Sequence, residues 1–343
     1  MGLLEAIGQG ADDPARETFR ALGAELQSGL TLYWKTAGKI LDDSGIVLHP
    51  PPPDYLAMAK NIFSTLFLYA YYAAGIDPER RVVYVAVNQC LRAMVTGCDN
   101  ILDDEYKQTL ATDLPSRAVR FRSVVDIMVS DRVLFALLLE MAATASLTGS
   151  LIRDASAASL RALTRSGAQE ASEEGGVGDI PTPERVLRDI HHYKTGLLFQ
   201  CPWAVPGVIE TGLGQPAEQR QDHLYRIGMG CQLLDDIVDL EADVRERRYN
   251  YAWSKIFHSA EGHLRSEMQA AYNQPTVTGQ RLSNLHDTFP RIIAAVAAEG
   301  QHQLEEGLQG LLREDHRHLA APLTSFLIRR IGADHFLQRA TTA

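Results

Sequence analysis

Two short runs of acidic side chains, about 130 residues apart, carry the spacing of a cation site. The first is Asp99-Asn100-Ile101-Leu102-Asp103-Asp104-Glu105, which follows the uncharged stretch 93–98. On a helix, Asp99 and Asp103 stand four residues apart on one face, where like charges cost roughly 0.2–0.5 kcal/mol. The second is Gln232-Leu233-Leu234-Asp235-Asp236-Ile237-Val238-Asp239. Asp235 and Asp239 again share a face, with Gln232 one turn earlier and apolar residues around them. A hard divalent cation relieves such crowding. Magnesium in particular takes carboxylate oxygens together with phosphates and water. Asp99, Asn100, Asp103, Asp104, Asp235, Asp236 and Asp239 are therefore the candidate metal ligands. Basic residues near the second run extend the site to a diphosphate: Lys194-Thr195 lies between the runs, and Arg245, Arg247 and Arg248 follow the second. Cations neutralise one side of such a group, and lysine and arginine donors grip the other. Each cluster alone is also compatible with a solvated helix end, and the arginines with a favourable place at a helix C-terminus.

Helices must position these groups. Apolar residues recur at three- and four-residue spacing over 125–145, 159–164, 183–209, 222–248 and 291–312, with little strand alternation elsewhere. Thr182-Pro183-Glu184 supplies an N-cap, a proline at the first helical position and an acid in the first turn. Four prolines at 50–53 make the sharpest break in the chain. The expectation is an all-α protein: a helical lead-in over 1–48, then one helical bundle over 54–343 with a central active-site cavity. Antiparallel helices of such a bundle can aim the two acidic stripes at one another. The segment 166–181, with its GGVG and acids, reads as an exposed connection.

The bulk properties narrow the partners. Of 343 residues, 45% are hydrophobic, which excludes a disordered chain, and the formal charge of −10 argues against nucleic acid. The most apolar segment, 61–76, is short and rich in Tyr, Ser and Thr, so no stable membrane insertion is expected. Cys90, Cys98, Cys201 and Cys231 form no CxxC pair and read as buried, reduced thiols. With no basic, apolar leader at the start, a cytoplasmic location is the expectation. Histidines at 191, 192, 302, 316 and 318 form no closed zinc set with the cysteines.

The order of these motifs resembles the trans-polyprenyl diphosphate synthase family of the class I isoprenoid synthases. Gln232-x-x-Asp235-Asp236-x-x-Asp239 matches the family's second aspartate-rich motif, and Asp99-Asn100-x-x-Asp103 is similar to the first, with asparagine at its second position. Lys194-Thr195 matches the Lys-Thr signature, and Ser130-Asp131-Arg132-Val133-Leu134 is similar to the Gly-Asp-x-Leu-Leu stretch. The resemblance runs from about residue 55 to 256. It implies three magnesium ions, an allylic prenyl diphosphate substrate, a cavity for the prenyl tail and a homodimeric assembly. Asp99, Asp103, Asp235, Asp236 and Lys194 are then the expected catalytic residues. Lys60, Met94, Val95, Lys194, Thr195, Gln232, Arg245, Arg247 and Arg248 are the expected substrate-binding residues. Met94 and Val95, a turn before Asp99, are not bulky, which by the resemblance leaves room for a tail of fifteen or twenty carbons.

The chain also departs from that family. Where chain-elongating members carry a Gly-Lys-Arg-x-x-Arg-like motif for isopentenyl diphosphate, it reads Ala59-Lys60-Asn61-Ile62-Phe63-Ser64, and Ala111-Thr112-Asp113 stands in place of an Arg-Arg-Gly. At roughly 1.5–3 kcal/mol for each charged hydrogen bond, two or three losses remove about two to six decades of affinity. Arg117, Arg120 or Arg122 is a displaced candidate. The stretch after Asp239, Leu-Glu-Ala-Asp-Val-Arg-Glu-Arg-Arg-Tyr-Asn, is similar to the squalene and phytoene synthases, which also lack that pocket. The departures favour a terpene synthase that ionises and cyclises a single prenyl diphosphate. The alternatives are a prenyltransferase, elongating or joining prenyl chains, and a non-catalytic subunit, for which Asn100 is the main support. Phe63, Phe67, Tyr69, Tyr71, Phe199 and Trp203 are candidates to face a carbocation.

Overall fold

The computed structural model describes residues 14–145, 147–210, 212–273 and 284–340. The protein is 76% helical. Among the described residues, extended pairing is confined to an isolated antiparallel bridge between Leu48 and Thr112. The chain divides into two compact units, described in turn.

The first unit takes in the described residues of Met1–Gly167, Gln200–Gln221 and Leu311–His316. Its first helix, α1 (Pro14–Leu41), places Phe19, Leu22, Leu26, Leu30, Tyr33 and Ala37 on one stripe, none more than 1% exposed. Burying each large apolar side chain of such a stripe contributes about 1.5–3 kcal/mol. The stripe packs on α3 (Pro78–Leu102) and α4 (Val119–Ala145), and α2 (Ile62–Ala73) fills in against α1 and α3. Helix α3 starts with Pro78 just after Asp77, where a missing N–H costs nothing. Arg81 forks onto both carboxylate oxygens of Glu25 in α1, at 2.8 and 2.5 Å. The four prolines fall between α1 and α2, as residues that cannot continue a helix must. The apolar run 61–76 folds as the 12-residue α2. No helix among the described residues is long and apolar enough to cross a membrane.

The second unit takes in the described residues of Ala168–Phe199, Asp222–Gly310 and Arg317–Ala343. Helix α5 (Gly149–Ala171) ends in it, which corrects the expected exposed connection over 166–181. The helix runs through the first six residues of that stretch, and just beyond it Glu173 is fully buried. The single helix expected over 183–209 is also corrected. A helical turn, Pro183–Arg185, runs into a π-helix, Val186–Gly196, and then a tighter 3₁₀ segment, Leu198–Trp203. Leu197 N–H returns to the His192 carbonyl five residues back, at 2.8 Å, and Pro202 has no N–H to give.

Helix α6 (Gly214–Val238) carries the second acidic run, and α7 (Leu240–Glu246) follows after a break at Asp239. Next come α8 (Tyr251–Ser259), α9 (Gly262–Tyr272), α10 (Pro290–Leu311), α11 (Ala320–Ile331) and α12 (Asp334–Ala340). Helices α6 and α10 meet through glycines. A Cβ at Gly230 would fall 2.8 Å from the Gly300 carbonyl oxygen, and one at Gly300 would fall 2.9 Å from Leu234 Cγ. The contact at Gly230 is with backbone, so a side chain there must push the helices apart. Gly230→Ala is expected to lower stability by about 1–3 kcal/mol, read as a lower urea midpoint at unchanged slope.

Candidate functional site

Both acidic runs sit at the C-terminal end of a 25-residue helix. Helix α3 stops at Leu102, and Asp103 takes φ −95°, ψ 2°. Helix α6 stops at Val238, and Asp239 takes φ −94°, ψ 5°. In each case the N–H of the terminal aspartate bonds, at 2.8 Å, to the carbonyl of the aspartate four residues earlier, Asp99 or Asp235. The two motifs are thus local copies of one helix ending. A helix C-terminus carries about half a negative charge, so carboxylates are disfavoured there and cations welcome. Asp103, Asp235 and Asp239 are exposed, and Asp99 is half-buried. All four offer hard oxygen donors. Among the described residues, no three His, Cys, Asp or Glu side chains converge into a ready metal cage. Paired carboxylates without a cage fit magnesium, which binds through one or two carboxylates and completes its shell with substrate phosphates and water.

Asn100 does not join the candidate ligands, and this corrects the expectation. It is fully buried, its Oδ1 accepts the Lys107 N–H at 2.8 Å, and its Nδ2 donates to the Lys107 carbonyl at 3.1 Å. An amide donates and accepts at once, which an ionised aspartate cannot, so asparagine suits the latch on the segment after α3. Asp104 turns the chain with φ 53° and meets Arg120 at 3.1 Å, in an exposed pair of small energetic weight. Of the displaced arginine candidates, Arg122 is buried over the Tyr106 ring, 4.0 Å from its centroid.

Asp236 is likewise turned inward, 1% exposed, and is corrected from metal ligand to internal anchor. Its Oδ2 lies 2.6 Å from His191 Nε2 and accepts the Tyr251 N–H at 2.6 Å, while Oδ1 accepts Gln232 Nε2 at 2.8 Å. Gln232 Oε1 in turn accepts the Thr195 hydroxyl. The structure thus joins Thr195, Gln232 and Asp236 in one network, with both Asp236 oxygens committed to buried donors. Asn250 adds bonds from its Nδ2 to the Asp236 carbonyl (2.7 Å) and to Asp243 Oδ2 (2.8 Å), and caps α8 through Oδ1. Burial first, and then the charge of Asp236, push the Asp243 carboxyl up to about 8.

Lys194 points to glutamates, 3.2 Å from Glu170 and 3.8 Å from Glu173. Burial works against its charge, but Glu170, Glu173 and Asp243 outweigh that and hold it protonated above the usual lysine range. Arg247 adopts the left-handed region at the end of α7 and donates to the Gly175 carbonyl at 3.0 Å. Arg245 is exposed and Arg248 half-buried. Lys60 forms an exposed pair with Asp54 at 2.9 Å, and Met94 and Val95 are half-buried on α3. Of the aromatic candidates, Tyr69, Tyr71 and Trp203 are core, while Phe63, Phe67 and Phe199 are half-buried. Cys90, Cys201 and Cys231 are buried, whereas Cys98 is exposed, which corrects the expectation for that thiol.

The fold is similar to those of solved geranylgeranyl and polyprenyl diphosphate synthases. Geranylgeranyl pyrophosphate synthetase from Pyrococcus horikoshii Ot3 matches with a TM-score of 0.62 at 17% identity, over 91% of this chain and 99% of that one. Geranylgeranyl pyrophosphate synthase from Lactobacillus brevis ATCC 367 matches with 0.62 at 18% identity, over 93% and 100%. A decaprenyl diphosphate synthase from Rhodobacter capsulatus matches with 0.60 at 16% identity, over 93% and 99%. No family model and no curated protein matches the sequence, so the likeness is one of fold.

Sequence reasoning missed His191, Asn250 and Glu173 as members of the site. The spacing signal for His191 was hidden by the π-helix, whose wider turn breaks the three-and-four rhythm. Asn100→Asp, which restores the family's pattern, is expected to destabilise the protein by about 1–3 kcal/mol, because the Lys107 carbonyl loses its donor and a carboxylate takes a fully buried position. Thermal melts of the two proteins at neutral pH check this.

Proposed function

We propose that the chain is a metal-dependent prenyltransferase, which ionises an allylic prenyl diphosphate and passes its carbon chain to a second prenyl substrate. The observation that carries the reading is the repeated helix ending, with Asp99 and Asp103 in one copy and Asp235 and Asp239 in the other, on a fold shared with polyprenyl diphosphate synthases. Each pair of carboxylates would hold divalent cations, and Asp104 extends the first pair. When bound, the cations supply neutralisation of the charge that grows on the leaving diphosphate. Arg245 and Arg248 are the donors proposed for its oxygens, with Lys194 joining them as Glu170 and Glu173 release it. Ionisation breaks the bond between the allylic carbon and oxygen, and the bonding pair leaves with diphosphate. The double bond of the acceptor then adds to the allylic cation, and loss of a proton completes the new carbon–carbon bond. Water must be excluded throughout, because it would quench the cation.

A second reading, cyclisation of a single prenyl diphosphate, is favoured by the residues that stand where an isopentenyl pocket would be built. Lys60 pairs with Asp54, Asn61 donates to the Tyr55 and Ala57 carbonyls, and Asp113 accepts the Val47 N–H at 2.9 Å. A non-catalytic subunit loses its main support, because Asn100 has a structural reason to be asparagine.

Purified protein incubated with magnesium and prenyl diphosphates of ten to twenty carbons, with and without isopentenyl diphosphate, separates these readings. Products with more carbons than the donor are expected. Hydrocarbons or alcohols of unchanged carbon number would overturn transfer and select the cyclase. Asp235→Ala is expected to reduce turnover roughly 100-fold or more while the helical dichroism stays unchanged; undiminished turnover would remove Asp235 from the site.

A further inference from the structure

An ambiguity is written into the second motif: Asp235 and Asp236 are identical neighbours, and a helix turns about 100° per residue. A rotation of α6 by that angle would bury Asp235 and expose Asp236. Something outside the helix must choose between the two. In the structure Asp235 and Asp239 are exposed and Asp236 is 1% exposed, so the choice has been made.

The donors that make it lie on neighbouring elements. His191 is fully buried on the π-helix, and its Nε2 lies 2.6 Å from Asp236 Oδ2. A carboxylate oxygen that already accepts the Tyr251 N–H can only accept again, so Nε2 carries the proton. Thr195, four residues after His191, meets Gln232, four residues before Asp236. The two elements are therefore laced antiparallel by two rungs, 191 to 236 and 195 to 232. His191 Nδ1 is buried without a hydrogen-bond partner, so the imidazole is held by this one polar contact.

We infer that His191 is a positioning residue for the second acidic motif: by engaging Asp236 it fixes the rotation of α6 at which Asp235 and Asp239 are presented to a divalent cation. The inference rests on the proposed function in taking those two aspartates as the cation ligands. His191 touches neither substrate nor cation, and its effect passes through Asp236. The fit to Asp236 is that of a group that orients a metal site from behind, where substitutions characteristically reduce metal affinity about 10- to 100-fold.

The test titrates manganese into the full-length protein in the presence of inorganic pyrophosphate, with free manganese followed by electron paramagnetic resonance. Three variants are compared with the wild type, together with their thermal melts. His191→Leu keeps volume and removes the donor. His191→Gln places an amide N–H where Nε2 stands, and His191→Asn is too short to reach Asp236. A loss of about 10-fold or more is expected for Leu and Asn, with Gln within about threefold of wild type. If the Leu variant does not fold, the contrast between Gln and Asn decides. Equal manganese affinity in wild type and the folded Leu or Asn variants would overturn the inference, as would a Gln variant no better than Asn. Absence of manganese–pyrophosphate binding by the wild type would instead overturn the proposed function.

Discussion

A carboxylate in the last turn of a helix faces the unfavourable end of the backbone dipole, and two in succession also repel each other. Every feature of the site follows from how this chain handles that cost, twice over. At the ends of α3 and α6 the outer acids, Asp103 and Asp239, break the helix with nearly the same backbone angles and accept exposure. The residue just after the first aspartate of each motif goes inward, and there the two copies diverge. In the first copy it is Asn100, an amide latched to Lys107; in the second it is Asp236, a carboxyl group met by three partners. A buried position can be satisfied either by removing the charge or by surrounding it. The protein uses one solution in each motif.

Surrounding the charge requires neighbours of the right kind at close range. The π-helix brings His191 and Thr195 to α6 together, and the N-terminus of α8 turns the Tyr251 N–H toward the same carboxylate and the Asn250 amide toward the Asp236 backbone carbonyl. Glycine contacts between α6 and α10 hold the opposite flank of that helix without a side chain to cushion it. Around Lys194 the balance reverses, with one ammonium set among Glu170, Glu173 and Asp243.

Much of this was legible before any coordinates. The four-residue spacing of the aspartates, the apolar periodicity and the proline break are properties of local sequence, and they held in α3, α4, α6 and α10. What could not be read depends on contacts from elsewhere in the chain. Aspartate at 235 and aspartate at 236 look alike in a sequence, and only the donors across from them distinguish ligand from anchor. Asn100 read as a weakened metal ligand because its partner, Lys107, offers backbone groups that no residue type announces. Glu173 was placed in an exposed connection by its glycine-rich, acidic surroundings, yet it is buried where it accepts the Tyr249 N–H at 3.0 Å. The π-helix escaped because periodicity rules assume a regular turn.

The measurement that bears most directly on this account is a crystal structure grown with manganese and inorganic pyrophosphate, with data collected at the manganese edge. Anomalous peaks within coordination distance of Asp235 and Asp239, with Asp236 still held by His191 and the Tyr251 N–H, are the predicted result. Manganese bound to Asp236, with Asp235 turned into the interior, would contradict it.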